Sequence, residues 1–413
     1  MQDKDFVPFT REMKKDYTIL VPNMLPIHFR LIISVLATFG YHMELLENTG
    51  APVVEAGLKY THNDACYPAV LVVGQFMDAM TSGKYDPDHT ALIMFQTGGG
   101  CRASNYISLI RKALKRAGMP QVPVISMSLA GVEHHPGFQM MPKVLHCLLY
   151  AVTCGDLLMS LVNQVKPYER ERGAAERLAR DWTEKLSDLL GHTQRVSYRK
   201  IRAAYDEIIR DFAAIPREAR DTVRVGVVGE IFVKYSPLAN NDLEDFLVRE
   251  GAEVMQPGLL DFCLYCVINN ILDADNYGRH KAAKPIVQFA ADFLNRKRQD
   301  VSDAIAKEGT FRPWTRFETV PGLTEGYIHT AVKMGEGWLL TAEMLELIEA
   351  GCGNIVCTQP FGCLPNHICG KGMMKPIKEK NPDVNILALD YDPGASRVNQ
   401  ENRLKLMLSN ARR

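Results

Sequence analysis

The sequence predicts an α/β protein built on parallel sheets, organised as two α/β units with a helical segment between them. Three observations carry this. The chain has 413 residues, more than one hydrophobic core usually serves. Short β-branched runs alternate with helical patterns in its first and last thirds, which is how βαβ units read. Between them the pattern turns helical and then heavily charged. The boundaries expected are 1–138 for the first unit, 139–220 for the helical segment and 221–413 for the second unit.

In chain order, YTILVP (17–22) reads as a strand, HFRLIISVLATFG as a helix and YHMELLE as a second strand. A helix follows near Pro68 to Thr81, then the strand TALIMFQ ending at Gln96, a helix after Ser104, and the strand VPVISMS at Val122 to Ser128. The middle segment opens with the apolar KVLHCLLYAVTCGDLLMSLV and continues with YERERGAAERLARDWTEKL, whose charge run reads as the solvated face of long helices. TVRVGVVGE opens the second unit as a strand reaching Glu230. DLEDFLVREG reads as a helix and GAEVM as a strand, before a long helical stretch to about Lys307. The tail holds the helix TAEMLELIEAG, the strand NIVCTQ, the loop PFGCLPNHICGKG, the strand VNILALD and the helix ENRLKLMLSNA.

Composition narrows the function. Lys+Arg and Asp+Glu balance at 48 each, so no field steers a polyanion and nucleic acid is not an expected partner. The polar N-terminus lacks a signal core, and the most apolar stretches read as too short or too interrupted to cross a bilayer. The expectation is a cytoplasmic protein without a membrane partner. Its ten cysteines are then thiols, and metal or redox chemistry becomes the question.

In open parallel sheets ligands gather beyond the carboxyl ends of the strands. Three cysteines fall in such loops: Cys66 in THNDACYPA before a helix, Cys101 in QTGGGCRASNY after a strand, and Cys363 in QPFGCLPNHI after another. Glycine, proline and small polar neighbours leave backbone N–H groups free to bond a cluster's sulfur atoms. A lone cysteine at such a junction is more often structural, but three in equivalent loops point to ligands. The CxxC of Cys263 and Cys266 lies in an apolar helical run with no second pair near it, so packing is the better reading there. Cys147 and Cys154 read as core, and Cys352 and Cys357 as structural. Cys369 leans towards burial, with a ligand role left open. TGGGC lacks the Lys-Ser/Thr ending of a phosphate loop. GVVGE ends a strand, placing Glu230, Lys234 and Ser236 either along a cleft or in a solvated loop.

NDACYPA, GGGCRASNY, VGEIFVKYSPLANNDLE, PFGCLPNHI and DYDPGASRVNQENRLKLML together resemble proteins related to the activases of 2-hydroxyacyl-CoA dehydratases. The match is to the dehydratase-like half that in many bacteria is fused behind an ATP-binding activase. It covers nearly the whole chain from about Lys15. The resemblance implies Rossmann-like domains with a [4Fe–4S] cluster in the interdomain cleft, held by three cysteines that match Cys66, Cys101 and Cys363. Three ligands leave one iron open. It further implies a separate ATP-dependent activase as electron donor, a dimeric assembly, and reductive or radical chemistry on a small substrate such as an acyl-CoA. Arg102 and Asn105 are the further candidates for cofactor contact, and Glu230 for the catalytic group. A related branch holds a double-cubane iron–sulfur cluster, for which Cys369, Cys352 or Cys357 would supply more thiols. The alternatives are a non-catalytic iron–sulfur electron carrier or scaffold and a metal-free small-molecule binder.

Overall fold

The computed structural model describes residues 5–62, 64–96, 100–127, 133–192 and 196–412. Among these, eight strands form two four-stranded sheets in which every pairing is parallel. The first holds β1 (Thr18–Val21), β2 (His42–Leu45), β3 (Thr90–Phe95) and β4 (Val124–Met127) in the order β2-β1-β3-β4. The second holds β5 (Val223–Gly229), β6 (Ala252–Met255), β7 (Asn354–Pro360) and β8 (Asn385–Tyr391) in the order β6-β5-β7-β8. The two orders are the same, and each reverses direction beside its first strand.

Strand side chains alternate between faces, and the two faces of the first sheet have different company. Ile19, Val21, Ala91, Ile93 and Ile125 share a core with the helices Pro26–Thr38, Pro142–Val165, Ala174–Gly191 and Tyr198–Ala213. Leu20, Leu92 and Val124 point the other way, into a cluster that also contains Val225, Val227, Val356 and Leu389 of the second sheet. The two sheets therefore share buried apolar material, each such side chain contributing about 1.5–3 kcal/mol. Val228, Ile355 and Cys357 take the remaining face, against Met344, Leu345 and Leu347 of the helix Trp338–Glu349.

Helix Ala51–Tyr60 was not expected; its run APVVEAGLKY carries few apolar side chains and buries Val53 and Gly57 alone, so its periodicity is faint. The helix Pro142–Val165 also departs from expectation. Proline at its first turn and 24 residues without a breaker make it long and apolar enough to cross a membrane, with mean hydropathy 1.7 over the richest window. Yet 78% of that window is buried inside the protein, where it packs against the 26–38 and 198–213 helices as a core helix does.

Candidate functional site

Cys66, Cys101 and Cys363 each stand at the start of a helical turn. Cys66 caps the helix Tyr67–Thr81, which opens with Pro68. Cys101 caps the short turn Arg102–Asn105, its sulfur accepting from Ala103 N at 3.4 Å. Cys363 closes the turn after β7, with its N–H donating to Pro360 O at 3.3 Å. The backbone N–H groups of Ala69 and Asn366 act in the same sense on Cys66 and Cys363, each lowering the thiol against burial. Such bonds favour a thiolate over a thiol. Asn63, Thr97, Gly98 and Gly99, which belong to the motifs around Cys66 and Cys101, lie outside the described residues.

The loop after β7 lies directly on the start of the 67–81 helix. Tyr67 N donates to Phe361 O at 3.0 Å, and Gly362, at φ +72°, sits so close that an added Cβ would lie 3.1 Å from Cys66 Cα. Glycine is needed there for both the left-handed backbone and the approach. Gly335, at φ +61°, does the same on another side, where a Cβ would stand 2.8 Å from Pro365 and 3.7 Å from Cys101 Sγ. The three thiols thus gather where the two halves of the chain meet, and a charge on Cys66 raises both Cys101 and Cys363. Among the described residues no three His, Cys, Asp or Glu side chains converge as a single ion would require, with sulfur about 2.3 Å from a metal.

Two carboxyl groups share this junction. Glu230 follows β5 and caps the helix Ile231–Tyr235, accepting from Val233 N at 2.9 Å. Glu336 accepts from Ile231 N at 3.0 Å, so both acids serve one short helix start. Burial, and then Glu336, push the Glu230 carboxyl up to about 8. Burial raises Glu336 as well. Near neutrality Glu230 therefore holds its proton, since two buried like charges side by side are costly. Burial dominates the thiols too. Cys101 is pushed up to about 12, Cys66 is raised against the opposing hydrogen bond from Tyr106 (Oη to Sγ, 3.4 Å), and Cys363 is raised furthest, with Glu336 and Glu230 adding to burial.

The remaining sequence candidates lie further out. Arg102 is exposed but lowers Cys66 through its charge, and Asn105 is exposed at the start of the Tyr106–Arg116 helix, where its side chain makes no capping bond. Lys234 and Ser236, for which a solvated loop was one reading, are buried, at 3% and 0% exposure. Lys234 Nζ donates to both oxygens of buried Glu343, at 2.9 and 3.2 Å. Cys357 donates to Asn366 Oδ1 and Cys352 to Asn354 O, both at 3.4 Å. Cys369 lies buried in the π-helical turn Asn366–Gly370, and Asp392 accepts from Gly394 N as a turn residue.

Tyr106, Glu336 and Glu343, the partner of Lys234, escaped the sequence reading as site residues. Tyr106 ends the GGGCRASNY motif and could have been found by its spacing from Cys101. Glu336 stands between Gly335 and Gly337, both at positive φ, and that GEG pattern is its one signal. Around the junction, Phe95, Met334, Phe361, Leu364 and Ile368 are 45–56% exposed, an unusual concentration of large apolar side chains in water.

Neither a protein-family profile nor a curated protein sequence matches this chain.

Proposed function

We propose that the chain is an iron–sulfur protein of the 2-hydroxyacyl-CoA dehydratase type, with Cys66, Cys101 and Cys363 holding a [4Fe–4S] cluster. Its two Rossmann-like halves would form the cleft for that cluster, and a separate ATP-dependent activase would deliver the electrons. The observation that supports this reading is the set of three thiols at the starts of helical turns, drawn from loops of both sheets, around one buried junction.

The donor set fits such a group. Soft thiolates select iron–sulfur clusters. Three thiols and two carboxyls share the junction under burial that favours their neutral forms, with Arg102 and Lys234 among the nearby cations. When bound, the cluster supplies a low-potential electron, with one iron free of protein thiolate.

The protein's own residues do the rest. Backbone N–H groups of Ala69, Ala103 and Asn366 and the Tyr106 hydroxyl offset thiolate charge. Glu230, with Glu336 beside it, holds a proton at the junction and can release it to a substrate that gains an electron, an acyl-CoA being an example of the class the resemblance implies. The exposed apolar rim from Phe95 to Ile368 supports docking of a donor protein over the site.

Anaerobic reconstitution with iron and sulfide quantification, followed by EPR after dithionite, tests the reading. Wild type is expected to carry about four irons, and Cys66→Ala, Cys101→Ala and Cys363→Ala each to lose the signal. About eight irons would point to the double cubane. No iron under strict anaerobiosis would overturn the proposal and leave a metal-free α/β binding protein.

A further inference from the structure

A second polar region lies behind the junction, and one helix joins the two. A cavity of about 100 Å³ opens beyond the carboxyl end of β6, lined among others by Asp156, Asp261, Arg298, Arg312, Glu346 and Ala350. Half-buried Arg312 and Ala350 stand at its outer side. Glu346 belongs to the 338–349 helix, as does Glu343, three residues earlier on the same face. Glu336 lies two residues before that helix, beyond Gly337 at φ +42°, and accepts from Ile231 N on the short helix that carries Lys234. At 1.5 Å rise per residue, Glu346 and Glu343 span about 4.5 Å of that helix, leading from the cavity to Lys234, on the short helix whose start Glu230 and Glu336 both serve.

The groups facing these acids complete the set. From the 231–235 helix, Lys234 is paired with Glu343 and acts electrostatically on Glu230 and Glu336 as well. From the Leu259–Tyr277 and Lys284–Glu308 helices come Asp261 and Arg298, hydrogen-bonded to each other. Asp261 raises both Glu343 and Glu346, while Arg298 lowers Glu346. A structural role explains Lys234–Glu343 as a buried pair, but such a pair is costly against an apolar replacement. It does not explain acids placed between a cavity and a site.

We propose that Glu346, Glu343 and Lys234 form a proton path that refills Glu336 and Glu230 from the cavity. This rests on the reading of the junction as a reductive site, where each electron delivered to substrate calls for a proton. A hydronium ion in the cavity gives its proton to a Glu346 oxygen. That O–H bond breaks as one forms on Glu343, directly or through one water. Lys234, hydrogen-bonded to Glu343, passes an N–H proton through an intervening water to the emptied Glu336 carboxylate and regains one from Glu343. Every group ends as it began, and one proton has crossed.

The test is infrared spectroscopy of the full-length protein without cluster, following deuterium exchange of its protonated carboxyls after transfer into D₂O. Glu336→Gln identifies the Glu336 band. In Glu346→Gln, and in Ala350→Phe, which fills the cavity without altering an acid, exchange of that band is expected to slow on the order of a hundred-fold. Glu346→Asp should restore most of the rate, which a purely structural role would not do. An unchanged rate in both Glu346→Gln and Ala350→Phe overturns the path, because protons then arrive from the junction itself. The measurement needs no iron, so failure of the path and failure of the cluster assignment are separate results.

Discussion

Cys66 and Cys363 are buried and Cys101 half-buried, each with a backbone N–H that favours its thiolate, and the nearby lysine shows what burial costs without such help. Lys234 and Glu343 are 4% and 3% exposed at their side chains. Lys234→Met is expected to cost about 3–5 kcal/mol in urea unfolding, since it strands a buried carboxylate. The double variant Lys234→Met/Glu343→Leu should recover most of that loss. Equal loss in the single and double variants would show that the pair is not coupled. Lys234 was legible in the sequence as a residue of interest through its place after GVVGE, but its partner was not. A separation of 109 residues leaves no local periodicity to read, whereas Cys66, Cys101 and Cys363 announced themselves through glycine and proline neighbours.

The elements explain a different part of the stability. Asp156, in the 142–165 helix, accepts from Leu259 N at 2.7 Å and Leu260 N at 2.9 Å, so it caps the 259–277 helix from outside, and it also bonds His28 Nε2 at 2.8 Å. Asp156→Ala is expected to cost about 3 kcal/mol, from a lost cap and an unpaired buried imidazole. A loss under about 0.5 kcal/mol would mean that another group takes over the cap. The 338–349 helix carries the pH sensitivity. Burial and Asp261 push Glu346 up to about 7 from the ordinary 4.5, against the pull of Arg298. Between those values the folded protein binds more protons at this site than the unfolded chain does, so stability falls as pH rises from about 4.5 to about 7. Melting temperatures measured across that window should decline less steeply in Glu346→Gln than in wild type. Parallel profiles would refute the shift. The strands themselves were legible because β-branched runs and turn residues bound them, while Ala51–Tyr60 was not, because its neighbours rather than its own pattern hold it.

For the whole molecule, the decisive packing is the apolar cluster that joins Leu20 and Leu92 of the first sheet to Val225 and Val356 of the second. Domains that share a core do not unfold one by one. Thermal unfolding followed by near-ultraviolet and far-ultraviolet circular dichroism should give coincident transitions, and residues 1–220 expressed alone should not give a cooperative one. Two separated transitions in the full chain would show the halves to be independent. Sequence patterning reached the parallel sheets and the helical stretch between them, since both rest on local period. It did not reach the shared core, because Leu20 and Val225 are each ordinary strand residues until the chain brings them together.

The three thiols are divided two and one: Cys66 and Cys101 ride on the first half, Cys363 on the second. The contact that joins them there is a backbone hydrogen bond, Tyr67 to Phe361, over the flat surface of Gly362. In mechanical terms this is a clasp. Any relative motion of the halves leaves the Cys66–Cys101 spacing untouched and loads the Cys363 leg alone, so whatever the junction grips is released, or first seated, at that single corner.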